Sequence, residues 1–148
     1  MSFFDNWLIL GLAAALFYGA AAVMSKVVIG DKFLAINPKA AALLMFLGSA
    51  IVIAIFFFSA PTKIPTQPVL IGAGLLYGIL LTIGNVLVYI ALEKHANIAQ
   101  LAPIYNVNTL IAVVLGIVLL AEIPNQAQAV KIFIGALLIM IGSVLVTG

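Results

Sequence analysis

Residues 101–122 read LAPIYNVNTLIAVVLGIVLLAE, and this stretch combines a long apolar run with a polar break. From about Leu110 to Ala121 it is uniformly apolar, as expected for the hydrocarbon core of a bilayer. Before that run comes Pro103, followed closely by four hydrogen-bonding side chains. Proline has no amide to donate to the carbonyl of Ala99, and a freed carbonyl at membrane depth is costly unless protein or water meets it. The stretch therefore predicts a membrane helix that is broken beside a polar cluster.

The composition extends this interpretation to the whole chain. Of its 148 residues, 66% are hydrophobic and only 7% are charged, whereas about 25% of the residues in a soluble domain are charged. We therefore predict an all-α integral membrane protein. With no cysteine, a single histidine and a net charge of +2, we expect no metal, no cofactor and no nucleic acid partner. Neither paired acids nor a nucleophile with a base is visible, so we expect no enzyme.

Five apolar segments are long enough to cross a membrane, which takes about 20 residues. We predict a single membrane domain over 1–148, with spans at about 7–29, 38–59, 68–92, 98–121 and 126–147. Asn37 followed by Pro38 is a signal for a helix start. The Asn-x-x-Gln patterns that begin at Asn97 and Asn125 resemble capping boxes.

The lysines outside the apolar cores predict an orientation. An odd number of spans places the two chain ends on opposite sides of the membrane. One side holds Lys26, Lys32, Lys39 and Lys94, and the other holds Lys63 and Lys131. By the positive-inside rule, the N-terminus lies outside and the C-terminus inside. Because the bias is only four against two, insertion in both orientations stays open.

Small and polar residues recur at spacings of three and four along three spans, so each span carries one small-and-polar face. These residues are Gly11, Ala15, Tyr18, Ala22 and Ser25 in the first span, Gly74, Gly78, Thr82, Asn85 and Tyr89 in the third, and Tyr105, Asn108, Thr109, Ala112 and Gly116 in the fourth. We expect the three faces to meet one another or to line a cavity, while aliphatic surfaces face lipid.

These faces supply the candidate substrate pathway. It comprises Tyr18, Lys26, Thr82, Asn85, Tyr89, Tyr105, Asn106 and Asn108, with Pro103 as the helix break. Structural alternatives stay open. Asparagines can bond across packed helices, tyrosines can anchor span ends at the interface, and Lys26 can extend to the headgroups. If Lys26 instead faces the pathway, it suits an anionic or carboxylate-bearing solute.

Two further charges form a possible ion pair. Glu122 ends the fourth span and Lys131 begins the fifth, and each opposes the dipole of its own helix. Both lie on the same side of the membrane, so they can offset each other. No acidic residue lies near the middle of any span, so the sequence shows no proton carrier.

Four segments, in their order and spacing, resemble the EamA-type repeat of the drug/metabolite transporter superfamily. They are WLILGLAAALFYGAAAVMSK (7–26), YIALEKHANIAQLAPI (89–104), VVLGIVLLAEIP (113–124) and IGALLIMIGSVLV (134–146). The chain departs from the family pattern near Asn108 and Thr109, where members usually have a proline; here the proline comes earlier, at Pro103.

The resemblance implies one half of an inverted-repeat transporter fold, because typical members contain two inverted five-span repeats around a central cavity. It implies transport of a small organic solute by alternating access, in the plasma (inner) membrane of a prokaryote. The partner would be a second copy in an antiparallel homodimer with dual topology, or a related five-span protein in a heterodimer. Gly135 and Gly142 are candidates for the subunit contact. A non-transporting membrane scaffold or accessory subunit of a larger complex stays open as the alternative.

Overall fold

The computed structural model describes residues 6–120 and 125–147, and this part of the chain consists of helices joined by short loops. The helices are α1 (Trp7–Ile29), α2 (Pro38–Phe58), α3 (Pro68–Glu93), α4 (Ile98–Tyr105), α5 (Asn108–Leu120) and α6 (Gln126–Thr147). Together α4 and α5 form one apolar segment, so five segments are long and apolar enough to cross a membrane. The predicted all-α membrane fold class with five such helices is confirmed.

Asparagine side chains cap four of these helices. Asn6, Asn37 and Asn97 each accept a hydrogen bond from the amide two residues further on, at 2.9–3.0 Å. Asn125 accepts one from the amide three residues further on, at 3.0 Å. Such bonds satisfy first-turn amides that have no carbonyl partner inside the helix. The starts of these four helices are therefore determined by local sequence.

The helices α1, α2 and α3 form one compact unit that ends at His95. All three pack against one another, and α2 contacts α3 most extensively. The buried hydrophobic residues of this unit are Ile29, Ala41 and Leu92. They lie where α1 and α3 end and α2 begins, so the tight packing is concentrated at that end of the unit. Most long apolar side chains elsewhere are exposed, as expected where lipid replaces water.

The loop after α1 begins with a close backbone approach. A Cβ atom on Gly30 would lie only 2.6 Å from the carbonyl oxygen of Lys26. Real side chains do not approach so closely, so glycine is required there. Ala35, later in the same loop, has a positive φ of 49°, which is uncommon for a residue with a side chain. This short connection is therefore tightly turned.

The helices α4, α5 and α6 form a second unit that begins at Ala96. α6 packs along both α4 and α5 and contributes the buried residues Ala136 and Ser143. The expected capping box at the start of α4 is incomplete, because Asn97 bonds to the amide of Ala99 and not to that of Gln100. The side chain of Gln100 instead donates to the carbonyl of Val146 at 3.3 Å, which joins the start of α4 to the end of α6.

Candidate functional site

The fourth span is interrupted partway along its length. α4 ends at Tyr105, α5 begins at Asn108, and Asn106 and Val107 form a turn between them. At a rise of about 1.5 Å per residue from Ile98, the turn lies about 12–14 Å along the span, near the middle of a hydrocarbon core about 30 Å thick.

The interruption does not coincide with the proline. Pro103 lies inside α4, so the turn comes three residues after the position predicted for the break. The missing proline amide affects the carbonyl of Ala99 on the N-terminal side, whereas the turn forms on the C-terminal side of the proline.

At the turn, the backbone hydrogen bonds span fewer residues than those of an α-helix. The amide of Val107 donates to the carbonyl of Ile104 at 3.2 Å, and that of Thr109 donates to the carbonyl of Asn106 at 3.0 Å. Each of these bonds reaches back three residues, as in a 3₁₀-helix, and not four. In a continuous α-helix the amide of Val107 would donate to Pro103. The carbonyl of Pro103 therefore needs another donor.

Ser143 on α6 supplies that donor. Its hydroxyl oxygen lies 2.6 Å from the carbonyl oxygen of Pro103 and 2.8 Å from that of Ile139 on its own helix. The side chain is only 4% exposed. Sequence reasoning missed Ser143, because it treated the last span as a glycine-rich packing face. The sequence did offer a signal for this bond. Ser143 is a hydroxyl donor within an apolar span, and the chain also has a span interrupted near a proline.

The predicted pathway residues around the turn remain accessible in this chain. Asn106 and Asn108 are exposed and Tyr105 is partly buried. The hydroxyl of Thr109 lies 3.4 Å from the side-chain oxygen of Asn108, a contact between neighbouring residues. Because hydrocarbon offers no hydrogen bonds, exposed amide groups at this depth need a polar partner from outside the helix.

On α3, two predicted pathway residues bond to their own helix. The hydroxyl of Thr82 donates to the carbonyl of Gly78 at 2.8 Å, and the amide nitrogen of Asn85 donates to the carbonyl of Leu81 at 3.0 Å. These bonds do not tie α3 to another helix. They leave the side-chain oxygens of Thr82 and Asn85 as acceptors on the surface of α3.

The two predicted residues of α1 have different surroundings. Tyr18 is 74% exposed and lies in the middle of the helix. Lys26 is partly buried in the last turn. Its Cδ and Cε atoms lie 3.3 Å from the position that a Cβ on Gly30 would take. The stem of Lys26 thus runs toward the end of α1.

A cavity of about 300 Å³, open to its surroundings, lies in the first unit between the first turns of α2 and the last turns of α3. Its lining surface is mostly apolar, and the lining residues are Asn37, Pro38, Lys39, Ala42, Val86, Tyr89, Ile90 and Glu93. Tyr89 belongs to the predicted pathway. Asn37, Lys39 and Glu93 were not predicted as site residues, because their convergence depends on how α2 packs against α3.

At the same end of this unit, an ion pair joins two loops. The Nδ1 atom of His95, after α3, lies 2.7 Å from a carboxylate oxygen of Asp31, after α1. The contact is ionic only when the imidazole is protonated, and both side chains are largely exposed. His95 also has a positive φ of 65°, a conformation more often taken by glycine just after a helix.

The possible ion pair of Lys131 cannot be placed, because Glu122 lies outside the described residues. In the residues that the structure describes, no group of three or more His, Asp or Glu side chains is arranged to hold a metal ion.

Gly74 and Gly78, on the small-and-polar face of α3, and Gly135 and Gly142, the candidates for a subunit contact, have no close neighbours among the described residues. A Cβ atom built on Gly74, Gly78, Gly135 or Gly142 would meet no atom within 4 Å, the same helix's own backbone aside. These surfaces are therefore open to another subunit or to lipid.

The model of the EamA-like transporter family matches residues 5–148. The chain belongs to the EamA-like transporter family. Its five helices are consistent with a single EamA domain, which confirms the resemblance seen in the sequence. An uncharacterised protein of Methanocaldococcus jannaschii is 28% identical over 142 residues, covering 94% of this chain and 99% of the relative. No solved structure matches the chain. Family membership and five apolar helices make this an integral membrane protein of a drug/metabolite transporter type.

Proposed function

We propose that this protein carries a small organic solute across the membrane by alternating access as a dimer. The observation that carries the proposal is the turn at Asn106 and Val107, near the middle of an apolar span. Irregular backbone at membrane depth is tolerated only where protein buries it or where it lines an aqueous cavity. Discontinuous helices of this kind form the substrate sites of many secondary transporters. We place the protein in the plasma membrane of a prokaryote, as the family resemblance implies.

The dimer follows from what a single chain leaves uncovered. Asn106 and Asn108 are exposed, and no atom lies close to the faces of Gly74 and Gly78. Small residues allow close approach between membrane helices, so these faces suit contact with a second subunit. A second copy in the opposite orientation would complete an inverted pair, and the small lysine bias of the loops permits both orientations. A related five-span protein is the other candidate partner.

The pathway side chains favour a polar solute held by hydrogen bonds. The oxygens of Thr82 and Asn85 remain as acceptors on α3, and the exposed amides of Asn106 and Asn108 offer donors and acceptors on the fourth span. We assign the hydrogen bonding of the solute to these uncharged groups.

The first experiment measures transport by purified protein in sealed vesicles. A thermal-stabilisation screen of metabolites would select the solute, and its radiolabelled form would then be followed into vesicles. We expect Asn85→Ala and Asn108→Ala to lower the transport rate about tenfold, the effect of one lost hydrogen bond of about 1.4 kcal/mol. Ser59→Ala is the matched control, because its hydroxyl bonds only to the nearby carbonyl of Phe56 at the end of α2.

Normal transport by both asparagine variants, at equal amounts of folded protein, would remove these residues from the pathway. Absence of transport for every solute that stabilises the protein would favour the scaffold alternative. Reporter fusions at the C-terminus test the dimer separately. A single orientation, in cells without an oppositely inserted relative, would overturn the antiparallel pair but not transport itself.

A further inference from the structure

We propose that α4 is a hinged half-helix and that the hydroxyl of Ser143 is the latch that holds it against α6. The hinge is the turn at Asn106 and Val107, which joins α4 to α5. The inference rests on the proposed transport function for its purpose, because alternating access needs an element that moves. The motion itself can be measured without any solute.

The hydroxyl of Ser143 has two acceptors for one proton. Its oxygen lies 2.6 Å from the carbonyl oxygen of Pro103 and 2.8 Å from that of Ile139. A serine hydroxyl has a single hydrogen to donate, so the two carbonyls compete for it. Ile139 is four residues earlier on α6, and serines inside helices often bond back to the carbonyl at that position. Ser143 can therefore release Pro103 and still donate to its own helix.

The carbonyl of Pro103 also has an alternative partner. With α4 against α6 it depends on Ser143, because the amide of Val107 donates to Ile104. When α4 separates from α6, water from the proposed pathway can donate to this carbonyl, since irregular backbone is tolerated where it lines an aqueous cavity. Each polar group thus keeps a partner in both positions of α4. Neither position carries the cost of a buried group without a hydrogen bond.

The attachments of α4 favour motion about the turn. α4 is eight residues long and packs chiefly against α6, which also holds α5. A second side-chain bond between α4 and α6 runs from Gln100 to the carbonyl of Val146, and it is exposed and long at 3.3 Å. Water can replace that bond, because Gln100 lies near the start of the span. Hinges commonly lie where two elements meet, so α4 can pivot as one body while α5 stays packed on α6.

The strength of the latch determines how often α4 is released. Measured side-chain hydrogen bonds between membrane helices correspond to a shift of about threefold to fifteenfold in an equilibrium. We therefore expect Ser143→Ala to raise the ratio of released to attached α4 by about that factor.

The test measures the distance between α4 and α6 in the full-length protein in lipid vesicles. The chain has no cysteine, so Ala99→Cys with Leu145→Cys introduces one thiol on each helix, at two exposed positions. Spin labels on this pair would be followed by double electron–electron resonance, with unlabelled protein in excess so that each distance lies within one chain. We expect a main short distance and a minor longer one, whose share relative to the short one rises about threefold to fifteenfold with Ser143→Ala.

Two controls separate release of α4 from general disturbance. Ser25→Ala, whose hydroxyl bonds to a carbonyl within α1, should leave the distances between α4 and α6 unchanged. A second label pair, Leu119→Cys with Val130→Cys, reports on α5 and α6 at two exposed positions, and it should keep one distance with and without Ser143→Ala. A change in this second distance would show that the substitution disturbs the whole unit and would overturn the hinge. Equal distances between α4 and α6 with Ser143→Ala and with Ser25→Ala would overturn the latch.

These outcomes are distinct from those of the transport assay. Two distances that respond to Ser143→Ala would support the hinged latch even if the protein carried no solute. If vesicles show transport while Ser143→Ala changes neither label pair, transport stands and the latch is wrong.

Discussion

Replacing Ser143 with alanine removes the hydroxyl that lies 2.6 Å from the carbonyl oxygen of Pro103. That carbonyl has no helical donor, because the amide of Val107 donates to Ile104 instead. Ser143 is 4% exposed, so the hydroxyl is out of reach of bulk water and of lipid headgroups. The substitution therefore leaves a backbone acceptor without a partner in the interior of the second unit.

Three magnitudes set the expected loss of stability in Ser143→Ala. A buried acceptor left without a donor costs about 1–3 kcal/mol in soluble proteins. Side-chain hydrogen bonds in a membrane protein average about 0.6 kcal/mol and reach about 1.7 kcal/mol. Because the carbonyl of Pro103 has no other donor, we take a cost near the upper end of the membrane range. Alanine is a better helix former than serine, which offsets this cost by about 0.5 kcal/mol. We expect Ser143→Ala to lower the free energy of unfolding by about 1 kcal/mol.

The assay is reversible unfolding in mixed micelles with increasing denaturing detergent, followed by far-ultraviolet circular dichroism. Ser25→Ala is the matched control, because its hydroxyl bonds to the carbonyl of Ala22 at 2.7 Å within α1. That carbonyl sits inside a continuous helix and has its regular amide donor. We expect Ser25→Ala to change the free energy of unfolding by less than about 0.5 kcal/mol.

A double-mutant cycle with Pro103→Ala tests the physical cause. Alanine restores an amide at position 103, but this amide serves the carbonyl of Ala99 and gives no donor to the carbonyl of residue 103. Because the turn at Asn106 and Val107 is what removes that donor, we expect Ser143→Ala to cost about 1 kcal/mol in this background too, with little coupling between the sites. A cost below about 0.5 kcal/mol in the Pro103→Ala background, or equal effects of Ser143→Ala and Ser25→Ala, would refute the reasoning.

Three further substitutions test the first unit in the same assay. Gly30→Ala should lower the free energy of unfolding by about 1–3 kcal/mol, because the new Cβ would lie 2.6 Å from a backbone carbonyl oxygen. Gly84→Ala is the control, because its Cβ would meet no atom within 4 Å. Equal effects of the two substitutions would contradict the steric argument. Asn37→Ala should cost about 1 kcal/mol through loss of the cap on α2, and a neutral result would show that the cap contributes nothing. Asp31→Asn should cost less than about 0.5 kcal/mol, because its pair with His95 is largely exposed; a loss above about 1 kcal/mol would show that the pair holds the loops together.

The pathway prediction rested on helical periodicity, which groups residues on one face of a single helix. It placed Thr82, Asn85 and Tyr89 together on α3, because residues three and four apart share a face. Periodicity gives no information on whether a side chain bonds within its own helix. It therefore did not indicate that Thr82 and Asn85 donate to carbonyls one turn back. The assignment of these residues to the pathway remains a prediction.

The cavity shows why some site residues were not predicted. In the sequence, Lys39 served only to predict the orientation of the chain, and Glu93 was given no role. Their position beside one cavity depends on the packing of α2 against α3. Ser143 was missed for the same reason, because its partner Pro103 is 40 residues away in the sequence.

The sequence by itself determined the fold class, the five apolar segments and the helix starts at Asn37, Asn97 and Asn125. A bilayer requires every spanning segment to satisfy its own backbone, so length and hydropathy suffice to find such segments. Caps are local, so they too are visible in the sequence. Only the tertiary structure decided where the fourth span turns, which donor meets the carbonyl of Pro103, and which charges share a cavity. Each of these depends on contacts between helices that are distant in the sequence.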